Sequence, residues 1–261
     1  MPNNPSLMAR FMLTGQCAIV TGGGGGIGRA ASVLLAEAGA MVAVLDKDEQ
    51  GAEATVDAIA DAGGRALAVG VDVTNEADLE RAFAAVVESF GRLDVLINNA
   101  GLAIRSRALD MSVEDWNTVL VVNLTGMFLC ARIAARHMIS SGNNGAIVNT
   151  ASIMGLSGGL YPNVAYQTTK GGVVNMTRAL ALEWASDRIR VNAVAPTFVR
   201  TALTEGLLAK PEVLSTIEAA TPLGRLAEPQ EIATAILFLA SSAASMVTGV
   251  ILPVDGGYLA R

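Results

Sequence analysis

The stretch CAIVTGGGGGIGRAASVLLAEAG, residues 17–39, reads as strand, loop and helix in immediate succession. CAIVT (17–21) is apolar and runs into five consecutive glycines at 22–26. From Ile27 to Ala38 apolar residues recur at helical spacing, and Gly39 is a natural C-cap. Each glycine costs backbone entropy, so five in a row are not expected to serve packing. They let the main chain approach a ligand closely. The helix N-terminus behind them offers unpaired N–H groups and a partial positive charge, which suits a pyrophosphate. The absence of Gly-Lys-Ser/Thr excludes a P-loop, and in this strand–loop–helix context a bound nucleotide is the expectation. Gly22, Gly25, Gly26, Ile27 and Gly28 are the residues expected to meet it.

Outward from that unit the same alternation repeats. MVAVLD (41–46) is the second strand, followed by a helix that ends at Gly63-Gly64. RALAVGVDV (65–73), LDVLIN (93–98), GAIVNTAS (145–152), IRVNAVAP (189–196) and GVILPVD (249–255) read as five more strands. Helical patterns fill 75–90, 113–139, 163–184 and 228–240. Strands alternating with helices demand parallel pairing and right-handed crossovers. The expectation is one α/β domain over 1–261, a doubly wound parallel sheet of about seven strands with helices on both faces. Residues 1–12 are expected to be a flexible N-terminus, and 197–222 an irregular substrate loop or lid. There is no internal repeat and no linker of shifted composition.

The 261 residues include 52% AVILMFWYC and 16% charged residues, and mean hydropathy is +0.46. That excludes disorder and fits a sheet buried on both faces. Lys plus Arg is 18 against 24 Asp plus Glu, so no basic excess points to nucleic acid. Residues 232–254 carry no charge, but serines, Thr248, Gly249 and Pro253 break the run. A short helix, a turn and a short strand are expected there, with no membrane partner. One histidine, His137, and two cysteines 113 positions apart, Cys17 and Cys130, offer neither a metal set nor a disulfide framework. A reducing, cytoplasmic location is expected.

Asp46 ends the second strand, 18 residues after Gly28. A carboxylate there accepts bonds from ribose hydroxyls and repels a 2′-phosphate, which favours NAD over NADP. It could equally cap the next helix. Lys47, beside it, narrows the preference.

The chain resembles the short-chain dehydrogenase/reductase family over nearly its whole length. The resemblance rests on Thr21-Gly22-x3-Gly26-Ile27-Gly28, Asp72-Val73, Asn98-Asn99-Ala100-Gly101, Asn123, Ser152, Tyr166-x3-Lys170 and Val254-Asp255-Gly256-Gly257. It implies a Rossmann-type fold and redox chemistry between an alcohol and a carbonyl. It implies that Asp72 and Val73 flank the adenine, and that Asn98, Asn99, Ala100 and Gly101 stabilise the central strand beside the cofactor. It further implies that Pro196, Thr197, Val199 and Thr201 lie near the nicotinamide, with Thr201 reaching its carboxamide. Asn123 would disrupt its helix and hold a water leading to Lys170. A homotetramer, with the last strand and its Asp255-Gly256-Gly257 tail at an interface, is implied as well. One departure stands out: Thr197 occupies a position where the family often has glycine, and its side chain should narrow the site.

Chemistry read from the residues agrees. Tyr166 and Lys170 share a helix face. A free tyrosine titrates near 10 and is a poor base at neutral pH, but a nearby ammonium favours tyrosinate. Tyr161 is followed four residues on by Ala165, and no lysine follows Tyr258. Ser152 follows the fifth strand, at the carboxyl edge where open α/β sheets bind ligands, and its hydroxyl can donate to a carbonyl oxygen. Nothing around it reads G-x-S-x-G, so a hydrolase is disfavoured. Arg105 and Arg107 are expected on a rim loop, where they could steer an acidic substrate, although exposed arginines usually do nothing specific; Leu203, Leu207 and Leu208 could form an apolar lid, or serve packing or a subunit contact. The expected activity is NAD(H)-dependent interconversion of a secondary alcohol and a ketone, on a polyol, sugar acid or related hydroxy compound. A 3-oxoacyl thioester reductase and a non-catalytic dinucleotide sensor are the alternatives.

Overall fold

All five residues of the first strand, β1 (Cys17–Thr21), are buried, and their side chains divide between two cores. Cys17 and Ile19 face one layer; Ala18 and Val20 face the other. Burial on both faces is what a central strand of a parallel sheet requires. The computed structural model describes residues 7–260. Its chain order is β1, α1 (Gly26–Glu37), β2 (Met41–Asp46), α2 (Glu49–Asp61), β3 (Arg65–Gly70), α3 (Glu76–Phe90), β4 (Val95–Asn98) and α4 (Val113–Leu120). Then come α5 (Met127–Ser141), β5 (Gly145–Thr150), α6 (Val164–Glu183), β6 (Ile189–Pro196), α7 (Ala202–Leu208), α8 (Pro211–Ala220), α9 (Pro229–Ala240) and β7 (Ile251–Val254).

The seven strands lie in the order β3-β2-β1-β4-β5-β6-β7, and every pair is parallel. The strand order reverses between β1 and β4, which opens a crevice at their carboxyl ends. Thr21 and Asn98 are register partners at its floor. Leu79, Phe83, Leu129, Met138 and Leu180 bring α3, α5 and α6 onto one face. Ala31, Leu35, Ala52, Ile59, Ile232 and Ile236 bring α1, α2 and α9 onto the other.

Between α4 and α5 the helix widens into a π segment, Val121–Gly126. The whole helical run Val113–Ser141 is long and apolar enough to cross a membrane, but 56% of its most apolar window is buried within the fold. The uncharged run at 232–254 resolves into α9, a short turn and β7, as expected. Arg190, on β6, donates to Leu239 O, Ala240 O and Ser241 O, and so satisfies the orphan carbonyls at the end of α9.

Three expectations need correction. The third strand ends at Gly70, because residues 71–73 leave the sheet after Val71 N–H bonds Asp46 O. Residues 197–222 are not irregular: α7 and α8 occupy most of them, α8 opening with Pro211 at its first turn, where a missing N–H costs nothing. Of residues 1–12, 1–6 lie outside the described residues. Met8–Arg10 form a 3-10 turn, and the Phe11 ring packs 6.5 Å from that of Phe238.

Candidate active site

The crevice holds two adjoining clefts that meet at Leu203. The larger, with about 1030 Å³ of empty space including its open mouth, is lined by Gly22, Gly25, Gly26, Ile27, Asp46, Asp72, Val73, Asn99, Ala100, Gly101 and Thr201. These are most of the residues expected at a dinucleotide. Gly22 has φ +63° and its α-hydrogen side faces Ala100, where a Cβ would come within 2.9 Å of backbone. Gly25 faces open space. The expectation that no glycine of the run serves packing fails at Gly23 and Gly24. A Cβ at Gly23 would meet Val44 at 2.8 Å, and one at Gly24 would meet Gly51 at 2.9 Å. Gly28 likewise does not line the cleft: a Cβ there would sit 2.0 Å from Gly22 O, so glycine lets α1 seat against the loop.

Asp46 is fixed by both oxygens. Its Oδ2 accepts from Gly24 N–H at 2.9 Å and its Oδ1 from Asp48 N–H at 3.0 Å. It does not cap α2, whose N-cap is Asp48. Lys47 also lines the cleft, and its charge helps hold the Asp72 carboxyl below its ordinary value, after the larger effect of the Thr74 N–H and hydroxyl bonded to it. Thr21 Oγ1 accepts from Asn99 N–H and Ala100 N–H, and Asn99 Nδ2 donates to Gly22 O at 3.1 Å. Asn99 thus ties β4 to the glycine loop. Asn98 Nδ2 donates to Met127 O and Asn149 Oδ1, and so joins β4 to β5 and α5.

The smaller cleft, about 560 Å³ with its mouth, is lined by Ser152, Tyr166, Thr197, Asn163, Arg105, Tyr161 and the apolar Ile153, Met154, Phe198, Leu203 and Leu207. Ser152 caps a short 3-10 turn: its Oγ accepts from Met154 N–H at 3.1 Å, which leaves its own hydrogen free to donate. Ser152 and Tyr166 line the cleft together. Burial raises the Tyr166 hydroxyl above its ordinary value, while the neighbouring Ser152 hydroxyl and the charge of Arg105 oppose the rise. Lys170, the expected cation, lies over the Tyr166 ring. Lys170 Nζ donates to Thr150 O at 2.6 Å and lies 5.5 Å from the Tyr166 ring centroid. Burial pulls Lys170 itself down to about 8.

Asn123 sits in the π segment, so the expected helix disruption is present. Its side chain clamps the loop after β4: Oδ1 accepts from Leu102 N–H and Nδ2 donates to Leu102 O, both at 2.8 Å. Nδ2 also reaches Thr169 Oγ1 at 3.4 Å. Pro196 ends β6, and Val199 is buried in a bridge to Ala227, neither lining a cleft. Thr201 starts α7 and lines the larger cleft, its N–H donating to Thr204 Oγ1. Leu203 and Leu207 line the smaller cleft from α7, whereas Leu208 packs into the lid's own core with Ile217 and Tyr258.

Two polar atoms were not legible in sequence. Thr197 Oγ1 and Asn163 Oδ1 are buried without a hydrogen-bond partner, and both residues line the smaller cleft. Buried polar atoms are rarely left unpaired, and a ligand is the ready partner for these. The glycine-lined cleft and the fixed Asp46 carboxylate on its wall fit a nicotinamide dinucleotide.

Comparison with known proteins agrees with that fit. A family profile described as "Enoyl-(Acyl carrier protein) reductase" matches residues 22–259. The chain is 48% identical over 246 residues to cis-4-hydroxycyclohexanecarboxylate dehydrogenase of Sinomonas cyclohexanicum, covering 94% of this chain and 97% of the relative. It is 43% identical to galactitol 2-dehydrogenase (L-tagatose-forming) of Cereibacter sphaeroides, over 95% of this chain and 96% of that one. A solved structure of a putative NAD(P)-dependent gluconate 5-dehydrogenase from Beutenbergia cavernae with bound NADP matches at TM-score 0.91 and 42% identity, over 97% and 100% of the two chains. The protein is an oxidoreductase that interconverts a secondary alcohol and a ketone with a nicotinamide dinucleotide. With its seven-stranded doubly wound sheet and this set of relatives, the chain belongs to the short-chain dehydrogenase/reductase family.

Proposed function

We propose that the protein oxidises a small, hydroxyl-bearing secondary alcohol with NAD, using Tyr166 as general base and Ser152 and Lys170 as its supports. The observation that carries this reading is the placement of Tyr166 and Ser152 together in the smaller cleft, which adjoins the glycine-lined one. When bound, the nicotinamide supplies the hydride acceptor or donor. Ser152, its lone pair engaged by Met154 N–H, donates to the substrate oxygen and sets its position. Tyr166 takes the alcohol proton in oxidation and returns it in reduction. Lys170, titrating near 8, gains and loses a proton close to neutral pH, which suits a relay between Tyr166 and solvent. Both ends of the Asn123 carboxamide are engaged by Leu102, so a relay past this residue uses its backbone.

Asp46 supports NAD over NADP, since both its oxygens are pinned and the carboxylate cannot swing away from a 2′-phosphate. Asn163 Oδ1 and Thr197 Oγ1 favour a substrate with further hydroxyls, a polyol or sugar acid, over a 3-oxoacyl thioester. A homotetramer is part of the same reading. β7 is an edge strand of the sheet, and Leu182 and Met246 are 82% and 97% exposed. Sedimentation at micromolar concentration should give a tetramer, and a monomer would overturn this. A cytoplasmic location is supported by Cys17 and Cys130, buried free thiols whose burial pushes both up to about 12.

The test is a turnover screen in both directions with NAD(H) and NADP(H) on polyols, sugar acids and 3-oxoacyl thioesters. Turnover confined to thioesters would favour the reductase alternative. Cofactor binding without any turnover would favour the sensor.

A further inference from the structure

Arg105 stands on the loop after β4 and contributes the only charged side chain among the residues lining the smaller cleft. Among the described residues no carboxylate lines that cleft. Its Nη2 donates to Leu203 O at 3.2 Å, on the first turn of the lid helix α7. Its charge is felt at the Tyr166 hydroxyl, deeper in the same cleft. Neighbouring arginines are spoken for: Arg107 faces Asp110, and beyond the lid Arg200 pairs with Glu228 and Arg225 with Glu231. Among the described residues Arg105 has no such carboxylate. A guanidinium has five donors in a planar fork. One is used on Leu203 O, and the rest remain for an anion with two oxygens.

We propose that the substrate carries a carboxylate as well as its reacting hydroxyl, and that Arg105 binds that carboxylate at the mouth of the cleft. The substrate is thus a hydroxy acid, its carbinol held by Ser152 and Tyr166 and its body lying against Ile153, Met154 and Phe198. Because Arg105 also holds the backbone of α7, the anion is gripped at the point where the lid meets the rim. This inference rests on the oxidoreductase reading of the same site and narrows it to one substrate class.

The test compares 4-hydroxycyclohexanecarboxylate with its primary amide, a neutral probe of similar shape. The readout is the ratio of kcat/KM for acid over amide in the wild type, Arg105→Lys and Arg105→Met. Using the ratio cancels any effect of the substitution on the lid or on Tyr166. A charge-assisted hydrogen bond lost from a site should lower that ratio about 10- to 100-fold in Arg105→Met, with partial recovery in Arg105→Lys. A wild type that does not prefer the acid, or a ratio unchanged in Arg105→Met, would overturn the proposal. A second readout needs no turnover: binding of cyclohexanecarboxylate against cyclohexanecarboxamide to the wild-type and Arg105→Met complexes with NADH. Selective carboxylate binding that vanishes in Arg105→Met supports the proposal even if no alcohol is oxidised, in which case the oxidoreductase reading is what fails. Turnover of alcohols with no carboxylate selectivity in either readout sinks the carboxylate alone.

Discussion

Replacing Thr197 by valine should make the ligand-free protein more stable and the enzyme worse. Thr197 is 9% exposed and its Oγ1 has no partner. A buried hydroxyl left unpaired carries a desolvation cost of about 1–3 kcal/mol. Valine keeps the β-branch and puts a methyl where the oxygen was. The ligand-free chain should therefore gain about 1 kcal/mol, or about 2–4 °C in Tm for a chain of this size. In the complex the same hydroxyl is expected to bond the ligand. Losing one neutral hydrogen bond costs about 0.5–1.5 kcal/mol, a fall of about 2- to 12-fold in kcat/KM. Thermal unfolding with and without saturating NADH, together with steady-state kinetics, reads both effects. The stabilisation by NADH and substrate should shrink as the ligand-free Tm rises. A lower ligand-free Tm would show that the hydroxyl has a partner in the fold. A raised Tm with unchanged kinetics would remove Thr197 from the binding site.

Other substitutions report on the cofactor and the relay. With NADP, the Asp46 carboxylate would meet a phosphate; like charges about 4 Å apart at an effective dielectric near 20 cost about 4 kcal/mol before screening. After screening and partial offset by Lys47, a preference for NAD of about ten- to a hundred-fold is expected, and Asp46→Ala should lose NAD affinity and shift the kcat/KM ratio toward NADP. A wild type preferring NADP would mean that Lys47 governs this pocket. Lys170 should leave a mark on stability against pH. Its folded value, about 8, lies below its unfolded value, so between about 8 and about 10.5 the unfolded chain holds a proton that the folded chain has released. Stability relative to Lys170→Met should therefore rise with pH across that window, by up to roughly 3 kcal/mol. Urea unfolding of both proteins at pH 7 and 10 measures this, and a pH-independent difference would contradict it.

The sheet was legible because a strand buried on both faces must be apolar throughout, and β1, β2 and β6 begin and end where their apolar runs do. β3, β4, β5 and β7 are shorter than their apolar runs, and residues 71–73, beyond β3, turn away to line the larger cleft. The lid helices were harder to read. α7 is only seven residues with Gly206 inside, and its helical spacing is too brief to register. The proline signal at Pro211 was present but stood among residues of mixed polarity. At the site, the four-residue spacing of Tyr166 and Lys170 identifies a shared face, but not that the buried Lys170 would donate to Thr150 O. The unpaired atoms of Thr197 and Asn163 exist only once distant segments have closed around them.

The most direct test of the account is the turnover of Tyr166→Phe, measured beside its NADH affinity by fluorescence titration. The phenyl ring fills the same space, so NADH binding should be nearly unchanged. The hydroxyl that carries the proton is gone, and kcat for alcohol oxidation should fall about 10²- to 10⁴-fold. Retention of more than about a tenth of wild-type kcat, far above what loss of a general base permits, would contradict the assignment of Tyr166.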